Sequence, residues 1–96
     1  MSDLAFWTAL CPRTELGAWP KVEDPRVYVC VPPMLSASGF SEFVIVARNE
    51  HGVMEIFAAD EDGRIEEWDP LAAYAGADHE QALRAQGYEV VSINAA

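Results

Sequence analysis

The chain has 96 residues, 51% of them hydrophobic and 10% aromatic, which is enough to fold as one domain with its own core. Disordered acidic chains are poorer in apolar and aromatic residues, so that class is excluded. Sixteen Asp and Glu residues against six Lys and Arg give a net charge of −10. Such a surface repels nucleic-acid backbones and anionic membranes, and it attracts basic proteins.

The start of the chain lacks the cationic segment of a signal peptide, because Asp3 stands where that segment is required. The apolar run at 43–47 has the length of a strand, and no run approaches a membrane span. We therefore expect a cytoplasmic protein that does not enter a membrane. Cys11 and Cys30 lack CxxC spacing, so we expect two buried thiols rather than a disulfide.

The first 25 residues have the weakest pattern. Ser2 or Asp3 is a suitable N-cap for a short helix that runs through Leu10 and ends at Pro12. We expect the rest of this segment to be irregular and to pack on the body of a single domain, residues 1–96.

Residues 26–31 alternate with a period of two, which predicts a strand that ends at Pro32. The run of Ser, Ala and Gly residues through Ser41 predicts a loop. Residues 43–48 are apolar on both faces and rich in β-branched side chains. They predict a central strand that is covered on both sides.

Two turns divide the residues that follow. Residues 49–52 predict a hairpin turn, in which Gly52 is free to adopt a positive φ, and residues 53–59 predict the returning strand. Residues 60–63 predict a second turn, followed by a third strand over 64–68. The strands over 43–68 would then form a β-meander.

The pattern changes to helix after this meander. Asp69 and Pro70 suit an N-cap and a first helical position, which predicts a short helix over about 70–75 that ends at Gly76.

A second helix, over about 79–86, is predicted by Asp78 and Gln81 at capping-box spacing and by Gly87 as the C′ residue. A last strand over 88–93 would pair back into the sheet. The expected fold is therefore α+β, with an antiparallel or mixed sheet of four or five strands and both helices packed on one side.

The turn at 60–63 resembles part of a calcium-binding loop. With Gly63 at the sixth position, Asp60, Asp62 and Asp69 fall at the third, fifth and twelfth positions. The first position is Ala58, which offers no side-chain ligand, and the flanking residues predict strands where the calcium motif needs helices. A solvated hairpin turn is the better interpretation.

Other catalytic and metal-binding patterns are missing from the sequence. His51 and His79, both expected to be exposed, share no metal-ligand spacing with each other or with the cysteines. The serines follow no nucleophile-elbow pattern, and the glycines form no phosphate-binding loop. The many acids between Glu42 and Glu80 single out no acid–base pair. We therefore expect no metal, no cofactor and no catalysis.

The charge itself is the remaining candidate for function. From Glu50 to Asp69 there are eight acids and one base, Arg64. The candidate partner-binding residues are Asp60, Glu61, Asp62, Glu66, Glu67 and Trp68. On a strand, Trp68 would share one face with Glu66 and could serve as the aromatic contact of a surface whose acids steer a basic partner. Alternatives are an edge strand protected by charge, with Trp68 in the core, and a charge that serves only solubility.

Three stretches of the C-terminal half carry a resemblance to a known group. They are IFAADEDGR at 56–64, EWDPL at 67–71 and DHEQALRAQGYEV at 78–90. They resemble small proteins encoded by actinobacterial phages, including mycobacterial phages, over roughly the last forty residues. The resemblance assigns no site residues. It implies an accessory phage protein that acts in the host cytoplasm by binding a host protein.

Three hypotheses about function follow from the sequence. The first is a non-enzymatic module that binds a basic surface of another protein, as a monomer or small homo-oligomer. The second is a nucleic-acid mimic that inhibits a DNA-binding or defence protein. The third is a structural or self-assembling protein that uses the apolar strand region at 43–47 or the N-terminal aromatic residues.

Overall fold

The computed structural model describes residues 3–8, 10, 12, 22–36, 39–67 and 69–92. These residues form a sheet of six strands and one short helix, which is α+β in the broad sense predicted, although four or five strands and two helices were expected. The strands are β1 (Asp3–Trp7), β2 (Val22–Ser36), β3 (Gly39–Asn49), β4 (Val53–Ala59), β5 (Ala72–Ala75) and β6 (Tyr88–Ser92), and the helix is α1 (His79–Ala85).

The sheet is mixed and has the strand order β5-β4-β3-β2-β1-β6. Only the β1–β6 pair is parallel among these strands. The sheet curls into a half-barrel. Since β5 and β6 lie at opposite edges, the chain between them crosses one face of the sheet, and α1 packs there against β6 and β4.

The strand β3 lies at the centre of the molecule, between β2 and β4, and separates two apolar clusters. Residues 44–47 are fully buried. Val44 and Val46 face the cluster under α1, while Ile45 and Ala47 face the cluster on the other side. The prediction of a central strand covered on both faces is confirmed. Because this apolar stretch is inside the molecule, it does not offer a surface for self-assembly.

The cluster under α1 is the larger of the two and joins all layers of the domain. Its buried members are Ala5, Tyr28, Cys30, Met34, Val44, Val46, Met54, Ile56, Ala82, Leu83 and Tyr88. The helix therefore completes this core from one side of the sheet, as predicted for the capped helix, whereas the second helix predicted on that side does not form.

The β3–β4 turn matches the sequence prediction. The side-chain carbonyl oxygen of Asn49 accepts hydrogen bonds from the backbone N–H groups of His51, at 2.8 Å, and Val53, at 3.0 Å. Gly52 has φ +77°, a conformation that costs glycine little.

The helix α1 begins with the predicted capping box. The Asp78 carboxylate accepts from the Gln81 N–H at 2.8 Å, and the Gln81 side-chain oxygen accepts from the Asp78 N–H at 2.9 Å. Gly87 has φ +91° and donates its N–H to the Arg84 carbonyl at 2.9 Å. Gln86 is the C-cap, so the helix ends one residue before the predicted boundary. No helix among the described residues is long and apolar enough to cross a membrane.

The last strand returns to the sheet, as predicted. It runs parallel to β1, so that Tyr88 lies beside Asp3 and Val90 beside Ala5. Tyr88 and Leu83 belong to the same buried cluster, which places Tyr88 in the core beneath the helix end.

The prediction of a helix from Ser2 or Asp3 through Leu10 is wrong. Asp3–Trp7 forms β1, which is paired on both sides, with β2 and with β6. So short a helix would be marginal by itself, and a place between two strands satisfies the backbone along both edges. The expected irregular segment through residue 25 is also shortened, because β2 begins at Val22; residues 13–21 lie outside the described part of the chain.

The predicted end of β2 at Pro32 is also wrong, since this strand continues to Ser36. The register with β3 shifts between Val29 and Met34, so the two prolines fall where the ladder is already interrupted and no N–H is needed. The Tyr88 hydroxyl donates to the Pro32 carbonyl at 2.7 Å. Because β3 begins at Gly39, the predicted loop through Ser41 shrinks to a short connection.

A third meander strand was predicted over 64–68; the described residues of this range, 64–67, form a single antiparallel bridge between Ile65 and Ala59. The chain then leaves β4 and rejoins it as β5 (Ala72–Ala75), where a short helix was predicted over 70–75. Pro70 has no N–H for a ladder, which fits an interruption of pairing at this point. A helix confined between Pro70 and Gly76 would be about one turn long, whereas pairing with β4 satisfies the backbone of these residues.

Candidate interaction surface

The β4–β5 connection, residues 60–69, is called the acidic loop below, and Asp60 builds its turn. The Asp60 carboxylate accepts hydrogen bonds from the backbone N–H groups of Asp62 and Arg64, both at 2.9 Å. The Gly63 N–H donates to the Asp60 carbonyl at 3.1 Å, and Gly63 has φ +80°. Asp60, predicted as a partner-binding residue, is therefore half-buried and holds the loop in shape.

The other predicted partner-binding residues have different surroundings. Glu61, Asp62 and Glu66 are exposed and form no ion pair with any residue that the structure describes. Glu67 is half-buried, and Trp68 lies outside the described residues. Glu66 lies outside any strand, since the described residues 64–67 form only an isolated bridge, and the predicted strand face that Glu66 would share with Trp68 lies partly outside the described residues.

Two arginines of β2 and α1 are already paired with other acids. The Arg26 guanidinium lies 3.1 Å from the Asp24 carboxylate and 4.3 Å from the centre of the Trp7 ring. The Arg84 guanidinium lies 3.6 Å from the Glu80 carboxylate. Among the described residues, no cation forms an ion pair with the exposed carboxylates of Glu61, Asp62 and Glu66 in the acidic loop.

Leu35 and Phe40, the apolar pair, lie directly opposite each other at the end of the β2–β3 hairpin. Their exposed fractions are 69% and 74%, the two highest among the large hydrophobic residues described as exposed. Cross-strand partners project on the same side of a hairpin, so the two side chains form one apolar surface. Both residues were predicted to lie in a loop, so the pairing that brings them together was not expected from the sequence.

The hairpin end that carries the apolar pair is attached to the end of β4, where the acidic loop begins. In the β3–β4 register, Phe43 is opposite Ala59, so the chain enters the acidic loop beside the residues that lead to Phe40. The Ser41 hydroxyl lies 2.7 Å from the Phe43 carbonyl oxygen and 3.2 Å from the Ala59 carbonyl oxygen. The buried Ser41–Ala59 contact attaches the end of the β2–β3 hairpin to the end of β4, immediately before the acidic loop.

A second polar region lies at the start of α1, in an open cleft of about 250 Å³ lined by Arg26, Asp78, His79 and Glu80. His79 is only 6% exposed, so the prediction that it is exposed is wrong, whereas His51 is exposed as predicted. The His79 Nε2–H donates to the Asp24 carbonyl at 2.7 Å. Burial lowers the pKa of His79, which favours the neutral ring.

Asp24, the acceptor in that bond, has φ +49° and lies where the register between β2 and β3 shifts. Tyr28, two positions beyond Arg26, is fully buried, and its hydroxyl and the Arg26 Nε have no hydrogen-bond partner among the described residues. Burial raises the pKa of Tyr28. The nearby Arg26 guanidinium favours the ionised form of the tyrosine and so lowers the pKa, but its effect is smaller than that of burial. With His79 neutral and Tyr28 protonated, this region has a structural role: the His79–Asp24 hydrogen bond attaches α1 to β2.

The metal-ligating and thiol side chains that the structure describes are dispersed or buried. In the part of the chain that the structure describes, no three His, Cys, Asp or Glu side chains are grouped to hold a metal ion. Cys30 is a buried free thiol, as predicted, and burial raises its pKa to about 12. Cys11 lies outside the described residues.

No protein-family model, curated protein or solved structure matches the chain. Its function is therefore inferred from its own residues. In the part of the chain that the structure describes, the exposed acids of the acidic loop and the apolar pair are two features that the packing of the domain does not account for.

Proposed function

We propose that this chain is a small, non-enzymatic protein-binding module whose acidic surface engages a basic surface of another protein. The observation that carries the proposal is the set of exposed carboxylates at Glu61, Asp62 and Glu66, which lack a cationic partner among the described residues. Opposite charge brings two proteins together faster and suppresses partners of the same sign.

The partner is then a host protein, in keeping with the resemblance to small phage proteins, and the encounter takes place in the host cytoplasm. A net charge of −10 supports a protein partner over a nucleic acid or an anionic membrane, because both of those carry the same sign. One protein partner of this kind is a DNA-binding protein, to which the chain would bind as a mimic of nucleic acid. Duplex DNA would then compete with the chain and release that partner.

The proposal is tested with two variants of equal net charge. The first combines Glu61→Gln, Asp62→Asn and Glu66→Gln in the acidic loop.

The control variant combines Glu23→Gln, Glu50→Gln and Glu89→Gln, which are exposed and lie elsewhere. Glu50 belongs to the β3–β4 turn, and the seven residues of β4 put it about 20 Å from the acidic loop at roughly 3.3 Å per residue. Each variant loses three negative charges, so the two differ only in where the charge is lost.

Each protein is immobilised and exposed to lysate of an actinobacterial host, then washed at about 0.15 M and about 1 M salt, where charges are screened beyond roughly 8 and 3 Å. We expect the wild type and the control variant to retain the same basic protein at the lower salt, and the acidic-loop variant to lose it. Equal retention by all three proteins, or no specific retention by the wild type, would show that the acidic loop does not bind a partner.

A further inference from the structure

The apolar pair has no evident role in the packing of the domain. Phe40 is 74% exposed, and at roughly 150–250 Å² for an aromatic side chain this leaves more than about 100 Å² in water. Scattered single apolar residues are ordinary on protein surfaces, but here Leu35, at 69% exposure, is the direct cross-strand neighbour. The hairpin end therefore presents a continuous apolar contact surface.

Carboxylates border this apolar surface on at least one side. Glu42, two residues after Phe40 on β3, is exposed, and the acidic loop begins where the buried Ser41 hydroxyl meets the Ala59 carbonyl. Glu61 and Asp62 follow at once along the chain. An apolar centre bordered by polar, charged residues is the usual arrangement of a protein–protein interface, in which an aromatic side chain contributes much of the affinity.

Resting on the function proposed above, we propose that Leu35 and Phe40 are the apolar anchor of the interaction surface. Their occupant is a basic amphipathic segment of the partner protein. In that segment a large apolar side chain covers the pair while neighbouring Lys or Arg side chains face Glu42 and the acidic loop. Like charges argue against a second copy as the occupant, because two chains of net charge −10 repel each other when their acidic surfaces meet.

The anchor variant combines Leu35→Thr with Phe40→Thr, because threonine is polar but keeps the β-branched shape that strands favour. Val91→Thr is the matched control. Val91 is 37% exposed on β6, at one edge of the sheet, so its substitution replaces an exposed apolar side chain by threonine away from the hairpin. Phe40→Thr alone is a milder second variant. Circular dichroism and urea unfolding identify the variants that keep the wild-type fold.

Three synthetic helical peptides serve as probes, and binding is measured by calorimetry. The first has Lys on one face and Leu on the other, the second has Ser in place of Leu, and the third has Glu in place of Lys. We expect the Lys/Leu peptide to bind the wild type and the Val91→Thr control equally, and to bind the anchor variant on the order of tenfold or more weakly. The peptide with Ser in place of Leu should bind the wild type, the Val91→Thr control and the anchor variant alike. The peptide with Glu in place of Lys should bind none of them.

Failure of the anchor and failure of the proposed function give different results. If the anchor variant binds the Lys/Leu peptide as tightly as the wild type does, while the acidic-loop variant binds weakly, the anchor assignment is wrong and the proposed function stands. If the wild type binds no basic peptide, both proposals fail. A wild-type dimer in sedimentation equilibrium that disappears in the anchor variant would assign the apolar pair to a second copy of the chain.

Discussion

Replacing Leu83 by Ala tests whether α1 closes the larger apolar cluster. Leu83 is fully buried and is the largest apolar side chain that the helix contributes to this core. The substitution removes three carbon atoms, and at about 0.8 kcal/mol per buried CH₂ this costs about 2.4 kcal/mol. A cavity that the neighbours fill only in part raises the cost to about 3–4 kcal/mol. Domains of this size have a total stability of roughly 5–15 kcal/mol, so the change is large.

Urea unfolding followed by circular dichroism measures this loss, as a lower midpoint with an unchanged dependence on urea. Thermal unfolding should show a decrease of at least about 12 °C, at roughly 4 °C or more per kcal/mol. Arg84→Ala is the control, because Arg84 is 65% exposed and gives up only its ion pair with Glu80, a loss of at most about 0.5 kcal/mol. A cost below about 1 kcal/mol for Leu83→Ala, or an equal cost for Arg84→Ala, would show that the helix does not complete the core.

Three further measurements test the buried polar groups and the thiol. Burial lowers the pKa of His79 in the folded protein. As the pH falls below about 6.5, the unfolded chain therefore takes up the His79 proton before the folded protein does. The free energy of unfolding is highest above this pH and falls as the pH decreases toward the pKa of the folded protein. His79→Gln should flatten the pH dependence of the urea midpoint in this window, and equal slopes for His79→Gln and the wild type would contradict the prediction. Tyr28→Phe should leave the free energy of unfolding unchanged or raise it, because the hydroxyl has no partner; a loss above about 1 kcal/mol would reveal a hydrogen bond. With its pKa raised to about 12, Cys30 in a Cys11→Ser background should resist a disulfide reagent at about pH 8 until urea unfolds the chain, and rapid labelling of the native protein would refute its burial.

The candidate surface was only partly predictable from the sequence. The excess of acids between Glu50 and Asp69 is visible in the composition, and Glu61, Asp62 and Glu66 are exposed as an acidic contact surface requires. The role of Asp60 depends on the turn that its carboxylate builds. The apolar pair could have been found from its symmetry, because Leu35 and Phe40 are equally distant from the centre of a short hairpin connection. Assigning the end of the strand to Pro32 concealed that symmetry.

The burial of His79 could not be read from its neighbours in the chain. It occupies the first turn of a capped helix, where side chains are ordinarily exposed, and it is buried because its ring reaches the Asp24 carbonyl, 55 positions away in the sequence. The kink that turns this carbonyl toward the helix depends on the positive φ of Asp24 at a register shift in β2. A contact of this kind exists only after the strand and the helix have packed.

The sequence by itself determined the features whose hydrogen bonds close within a few residues. These are the capping box of Asp78 and Gln81 and the turn held by Asn49. The apolar residues on both faces of β3 likewise predicted its burial on both sides. The tertiary structure decided where the chain had two local choices: β1 and β5 are strands instead of short helices, and β2 continues past Pro32. The physical reason is that a one- or two-turn helix is barely stable, whereas an unpaired strand edge of the folded sheet satisfies the backbone of any segment that reaches it.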